Sequence, residues 1–298
     1  MFDIILYICK RLRAFGIISF SFFLVATPIG TARDITLRAL DILANADVIA
    51  AEDTRSMRKL MDIHGIALGD KPLLPYHDHN GKTMRPKLLE HLRLEKSVAY
   101  ASEAGTPLIA DPGFDLAREA ANKGHLVTTA PGPSAALAAL TLAGLPTDRF
   151  LFAGFLPNTK NARCGQLQAL ADVPATLVFY ESPKRLAAML GDAAEVLGGD
   201  RSAAYCRELT KKFEEVQRGT LAGLVERTRS LTVKGEVVVL IDRAASGSVN
   251  QDDIVLALRG ALQSMSVRDA AETVAQAYGL PKRKIYQMAL EFDKEKDR

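Results

Sequence analysis

The 298-residue sequence predicts an α/β fold with a small helical tail, and three observations carry that expectation. Short apolar runs alternate with amphipathic segments from residue 22 to about residue 243. Gly and Pro stand where those runs end. Beyond a small, polar stretch at 243–250 the apolar residues adopt a purely helical spacing. This order implies two α/β domains, 22–131 and 132–243, then a helical tail at 251–298. Residues 1–21 read as an extension outside the fold.

In the first domain, strands are expected at 22–26, 48–51, 97–101 and 126–129. Helices are expected between them at 34–46, 54–64, 82–94 and 114–123, with Gly65 and Gly124 as C′ residues. Strand–helix alternation needs crossover connections, so a mostly parallel sheet covered on both faces follows. In the second domain, strands are expected at 151–153, 176–180, 203–207 and 237–241, with helices at 135–143, 165–172, 183–197 and 221–228. The tail reads as helices at 254–262, 267–277 and 282–292. The last two flank Tyr278-Gly279-Leu280-Pro281, a helix-turn-helix spacing, and the last opens on Lys282, Arg283 and Lys284. Such a basic run is either a solvated face or an RNA contact.

Lys10, Arg11 and Arg13 precede an apolar run from Ala14 to Ala26, which has the pattern of a signal peptide. The run is too short, and too closely flanked by charge, for a membrane span. It feeds directly into Thr27-Pro28-Ile29-Gly30, so its second half is read as the first strand and no membrane partner is expected. The composition is that of an ordinary globular protein, 48% hydrophobic and 24% charged, and the net charge of +3 permits an acidic partner such as RNA. Cys9, Cys164 and Cys206 form no CxxC unit, which argues against a zinc ribbon or disulfide framework and suits a reducing cytoplasm.

Four loops at strand ends are candidates for ligand contact: 27–30, 52–55, 102–107 and 131–135. In a parallel sheet the carboxyl ends share one edge, so these loops should converge on one crevice. Pro131-Gly132-Pro133-Ser134 places Ser134 at the N-cap position of the next helix. None of the loops is GxGxxG or GxxxxGK[ST], so a pyrophosphate cradle is lacking. Exposed backbone at Gly and Pro, small hydroxyls and a few carboxylates suit a ligand with an adenosine end and an amino-acid end.

Nine segments recur here in an order typical of one family. They are Val25-Ala26-Thr27-Pro28-Ile29-Gly30, Ala50-Ala51-Glu52-Asp53-Thr54-Arg55, Tyr76-His77-Asp78-His79-Asn80, Ala104-Gly105-Thr106-Pro107 and Pro131-Gly132-Pro133-Ser134-Ala135. The order continues with Gly144-Leu145-Pro146-Thr147-Asp148-Arg149-Phe150, Gly154-Phe155-Leu156-Pro157, Phe179-Tyr180-Glu181-Ser182-Pro183 and Arg207-Glu208-Leu209-Thr210-Lys211. From about residue 22 to the end, the chain resembles the ribosomal RNA small subunit methyltransferase I family, a branch of the tetrapyrrole-methylase (class III methyltransferase) fold.

The resemblance implies an S-adenosyl-L-methionine enzyme that methylates the ribose 2′-hydroxyl of a decoding-centre cytidine in 16S rRNA of the small ribosomal subunit. It also implies a homodimer with the cofactor between two α/β domains. Thr106 and Ile109 should then line the cofactor site from the first domain, with Ser134 and Ala135 near its adenosine or methionine part. Tyr180, Leu209 and Gly235 should close it from the second. Four positions depart from the family pattern. Glu103 replaces the usual Asp, Thr31-Ala32 replaces Asn-Leu, and Lys184 replaces His.

Methyl transfer to a hydroxyl needs alignment and a base. Glu52 and Asp53, with Arg55 beside them, are the favoured catalytic group. The competing reading is an Asp53–Arg55 pair that only caps a helix. Glu181 and the 77–79 cluster are further candidates for the base. His77 and His79 lack a third ligand of recognisable spacing, so no metal is expected. Two other functions share these features: methylation of a tetrapyrrole carbon, and non-catalytic RNA binding in ribosome assembly.

Overall fold

A computed structural model describes residues 21–229, 233–244, 251–278 and 280–296. The first sheet contains β1 (Ser21–Val25), β2 (Val48–Ala51), β3 (Leu73–Pro75), β4 (Val98–Ala101) and β5 (Leu126–Ala130). Its order is β3-β2-β4-β1-β5 and every pairing is parallel. Four helices cross over between these strands: α1 (Leu37–Asn45), α2 (Thr54–Ile63), α3 (Gly81–Arg93) and α4 (Phe114–Asn122). One face packs Phe23, Val25 and Ile49 against Ile42, Leu43 and Met61. The other packs Phe22, Val48 and Tyr100 against Leu88, Leu92 and Leu116. Burial on both faces explains why these strands read as unbroken apolar runs.

Two details differ from expectation here. The first strand begins at Ser21, a buried residue, so the extension outside the fold is shorter by that residue. The remainder of that extension, 1–20, lies outside the described residues, as do 245–250 of the expected linker. The edge strand β3 was not anticipated, because three residues ending in Pro carry almost no strand signal.

The second sheet contains β6 (Phe150–Phe155), β7 (Thr176–Glu181), β8 (Ser202–Arg207), β9 (Glu215–Thr220) and β10 (Val237–Ile241), in the order β6-β7-β10-β8-β9. Only the β6–β7 pairing is parallel. β10 runs antiparallel to both its neighbours, and β8 with β9 forms an antiparallel pair. Alternation across 22–243 therefore does not make both sheets parallel. The polar edge strand β9, Glu-Val-Gln-Arg-Gly-Thr, was also not anticipated, since charged edges hide strand periodicity.

Helix α5 (Ala135–Ala143) packs Ala136, Ala139 and Leu140 on Val178, Ala204 and Leu240 of this sheet. Ile29, from the loop after β1, joins the same cluster. The remaining helices of this region are α6 (Lys160–Ala169), α7 (Leu186–Leu197) and α8 (Leu221–Thr228).

The tail is a compact unit of its own, with α9 (Gln251–Ala261), α10 (Val267–Tyr278) and α11 (Lys282–Lys296). Leu258, Ala271, Val274, Ile285 and Ala289 form its core. Ser266 caps α10, accepting the Asp269 N–H at 3.2 Å. Lys282, Arg283 and Lys284 are exposed at the start of α11, and Lys282 pairs with Glu272. Among the described residues no helix is long and apolar enough to cross a membrane.

Candidate functional site

The loops after β1, β4 and β5 are stitched together at the carboxyl edge of the first sheet. Thr27 and Gly105 exchange two backbone hydrogen bonds of 3.0 Å. The Thr27 hydroxyl donates to Ser102 O at 3.1 Å, the Ser102 hydroxyl to Gly105 O at 2.7 Å, and the Thr106 hydroxyl to Pro133 O at 2.9 Å. Gly105 sits at φ 82°, where a side chain is strained, and a Cβ there would stand 3.4 Å from Ile29. Beyond it Leu108 and Ala110 hold φ of 70° and 56°. Non-glycine residues in that region cost roughly 1–3 kcal/mol each and cluster at ligand sites.

These loops form one side of a cavity of about 300 Å³. Ile29, Thr106, Ile109, Ser134 and Ala135 line it from the first-sheet edge. Phe155, Tyr180, Glu181, Gly235 and Val238 line it from the second sheet. Six of the seven residues expected to hold a cofactor therefore meet in one cavity: Thr106, Ile109, Ser134, Ala135, Tyr180 and Gly235. The side chain of Leu209 does not join them. It is buried in the core with Ile29 and Ala136.

Ser134 is the N-cap residue of α5, yet its hydroxyl makes no capping bond. Ser134 and Tyr180 both line the cavity, and burial raises the Tyr180 pKa above its ordinary value. The Tyr180 ring is held by the edges of Phe152 and Phe155, with centroids 4.8 and 5.7 Å away. Gly235 has φ 84°, and a Cβ there would lie 2.2 Å from the Glu208 carboxylate. Residues 208–211 also clasp the loop after β1, because the Thr31 N–H donates to the Thr210 hydroxyl at 3.1 Å.

The three residues read as catalytic lie in the loop after β2, and none lines this cavity. Asp53 caps α2, accepting the Arg55 N–H at 2.8 Å, and pairs with the Arg55 guanidinium at 3.2 Å. Arg55 holds the Asp53 carboxyl below its ordinary pKa, and the Arg55 side chain is 91% exposed. Glu52 differs: burial and then the Glu103 carboxylate raise its pKa.

Glu52 and Asp78 also act on Asp111, which the sequence motifs do not single out. Asp111 Oδ1 accepts the hydroxyl of fully buried Tyr100 at 2.5 Å. Burial pushes the Asp111 carboxyl up to about 7, against the lowering effect of Tyr100. Its proximity to Tyr100 depends on the folding-back of residues 105–113, which sequence spacing does not encode. The His77 and His79 rings are 6.0 Å apart, and among the described residues no group of three or more side chains could hold a metal.

Residues 21–225 match the family described as Tetrapyrrole (Corrin/Porphyrin) Methylases, and residues 249–292 match the RsmI C-terminal HTH domain. The chain is 48% identical over 270 residues to the ribosomal RNA small subunit methyltransferase I of Mesorhizobium japonicum, covering 90% of this chain and 91% of that protein. It is 40% identical to the protein of the same name from Halalkalibacterium halodurans, covering 89% and 92%. Among solved structures, diphthine synthase is similar with a TM-score of 0.58 at 17% identity, covering 74% of this chain and 89% of that one. Uroporphyrin-III C-methyltransferase from Thermus thermophilus, complexed with S-adenyl homocysteine, is similar with a TM-score of 0.52 at 21% identity, covering 74% and 96%. At these identities the structural likeness is one of fold.

Proposed function

Because the chain belongs to the ribosomal RNA small subunit methyltransferase I family, within the tetrapyrrole methylases, we propose that it transfers a methyl group from S-adenosyl-L-methionine to RNA of the small ribosomal subunit. The observation that carries this reading is the convergence of Thr106, Ile109, Ser134, Ala135, Tyr180 and Gly235 on one cavity. The acceptor is the ribose 2′-hydroxyl of a decoding-centre cytidine in 16S rRNA, a reading supported by the nine ordered motifs. The same resemblance supports a homodimer, and the ribosomal substrate supports a cytoplasmic site of action.

The cavity suits the cofactor on chemical grounds. Ile29, Ile109 and Val238 offer apolar surface for a purine, Gly105 and Gly235 let backbone approach, and Ser134, Thr106 and Glu181 offer polar contacts for an amino-acid end. When bound, the cofactor supplies a methyl group on a sulfonium, poised for in-line displacement. The protein's part is to orient the acceptor oxygen, exclude water and take its proton.

Glu52 is the best placed of the three catalytic candidates for that last task. Its raised pKa brings it nearer to working pH. Asp53 and Arg55 hold the start of α2. The exposed Arg283 and Lys284 of the tail add phosphate contacts. Incubation with tritiated cofactor and small subunits from a strain lacking this activity should label the RNA. No label in RNA, or no cofactor binding by calorimetry at millimolar concentration, overturns the proposal.

A further inference from the structure

The motif Arg207-Glu208-Leu209-Thr210-Lys211 spans the end of β8 and the loop toward β9, and none of its residues lines the cofactor cavity. Two of them nevertheless hold a positive φ without being glycine: Glu208 at 51° and Thr210 at 61°. A β-branched residue in that region is an outlier, kept only where its surroundings over-determine it. We propose that Glu208 and Thr210 are positioning residues, each gripping one wall of the cofactor cavity, so that together they fix the gap into which the cofactor fits. The inference rests on the cofactor reading of that cavity.

Thr210 grips the wall from the first sheet. The Thr31 N–H donates to its hydroxyl at 3.1 Å, and the Thr31 hydroxyl donates to Thr210 O at 2.5 Å. Gly30 lies flat on the motif: a Cβ there would stand 2.5 Å from Thr210 Oγ1 and 2.7 Å from Leu209 O. Ile29, one residue back, lines the cavity.

Glu208 grips the wall from the second sheet. Its N–H donates to Glu236 O at 3.0 Å, and its Oε1 accepts the Glu236 N–H at 3.2 Å. Lys211 Nζ locks the pair, donating to Glu208 Oε1 at 3.0 Å and to Glu236 Oε2 at 2.9 Å. The Lys211 bond also holds the Glu208 carboxyl below its ordinary pKa. Gly235 and Glu236 both line the cavity.

The choice of residues is what points to function. A loop that only joined β8 to β9 could carry glycine at both positions without steric cost. Glycine, however, offers no hydroxyl to Thr31 and no carboxylate to Glu236. The strain is therefore spent on side chains that reach two segments of the cavity lining, one from each sheet. Leu209 between them is buried against Ile29, which anchors the clasp. Walls held at a set distance lose less freedom when a ligand orders them, and that saving appears as affinity.

The test compares wild type with Thr210→Gly, Thr210→Ser and Thr31→Val. The first removes a hydroxyl and relieves the backbone, the second keeps the hydroxyl, and the third removes the matching hydroxyl at an exposed position. Each is followed by thermal melts, by calorimetry with S-adenosylhomocysteine, and by steady-state transfer over a range of cofactor concentrations. Thr210→Gly should weaken binding and raise the cofactor KM about tenfold, with kcat within about twofold of wild type. Its melting temperature should stay close to wild type, because relief of strain offsets the lost contact. Thr31→Val should weaken binding about threefold, and Thr210→Ser should bind within about twofold of wild type. Wild-type affinity in both Thr210→Gly and Thr31→Val would overturn the proposal. So would a serine variant as weak as the glycine one, or affinity lost only in step with folded protein. Should Thr210→Gly not fold, the exposed Thr31→Val decides alone. Failure of the cofactor reading is visible separately, because wild type itself would then give no heat with S-adenosylhomocysteine.

Discussion

The two sheets of this molecule contribute to the site in different ways. In the first, every strand is parallel and both faces are buried, so all strand ends face one edge and their loops are forced together. In the second, β10 runs antiparallel between β7 and β8, and loops leave both ends. It supplies a wall: Phe155 and Tyr180 with Gly235 and Val238. Direction in the first sheet gathers chemistry; surface in the second closes it in. Carboxylates with raised pKa stand on both sides: Glu52 and Asp111 at the first-sheet edge, and Glu181 in the wall that the second sheet supplies beside its aromatic and apolar groups.

Substitutions should separate these contributions. The largest effect is expected in the first-sheet core. Leu116 is fully buried, so Leu116→Ala should lose about 2–5 kcal/mol of stability in denaturant unfolding. Cofactor affinity per folded molecule should stay near wild type, since Leu116 is not among the residues that line the cavity. A matching loss of affinity would show that the sheet and its edge are not separable.

Next comes the second-sheet wall. Gly235→Ala meets the Glu208 carboxylate and a positive φ, for a strain of roughly 1–3 kcal/mol. Cofactor binding by calorimetry should weaken about tenfold. Wild-type affinity would argue that the 234–236 turn does not touch the ligand.

A smaller effect concerns pH. Asp111 titrates near 7 in the folded protein and near 4 when unfolded. As pH rises from about 4 to 7, the unfolded chain gives up this proton while the folded chain keeps it. Stability therefore falls across that window and levels off above it. The groups facing Asp111 are the Tyr100 hydroxyl, Glu52 and Asp78. Asp111→Asn should remove this part of the fall, so that the variant's melting temperature gains on wild type between pH 4 and pH 7. Parallel curves would refute the assignment. The smallest effect belongs to Asp53→Ala. It should lower the melting temperature slightly through loss of the α2 cap and leave transfer unchanged.

Much of this was legible in the chain because Gly and Pro punctuate it so strongly. Pro131, Gly132 and Pro133 stop β5 and start α5, and Gly105 marks the cofactor loop. The elements that escaped were the edge strands β3, only three residues ending in Pro, and β9, whose polar sequence hides its period. Sheet direction in the second half also escaped, since antiparallel insertion of β10 leaves no local trace. Within the site, Leu209 shows that proximity in a motif does not decide which way a side chain points. Asp53 shows the reverse: its motif position suggested chemistry, and its hydrogen bonds are those of a cap. Asp111 gains its environment only when the strained loop brings it beneath Tyr100.

The most direct test is a crystal structure with S-adenosylhomocysteine bound. The division of labour between the sheets predicts the ligand in the Thr106–Tyr180–Gly235 cavity, in contact with Ser134 and Ala135. A ligand held by a single sheet, or one bound outside this cavity, would contradict it.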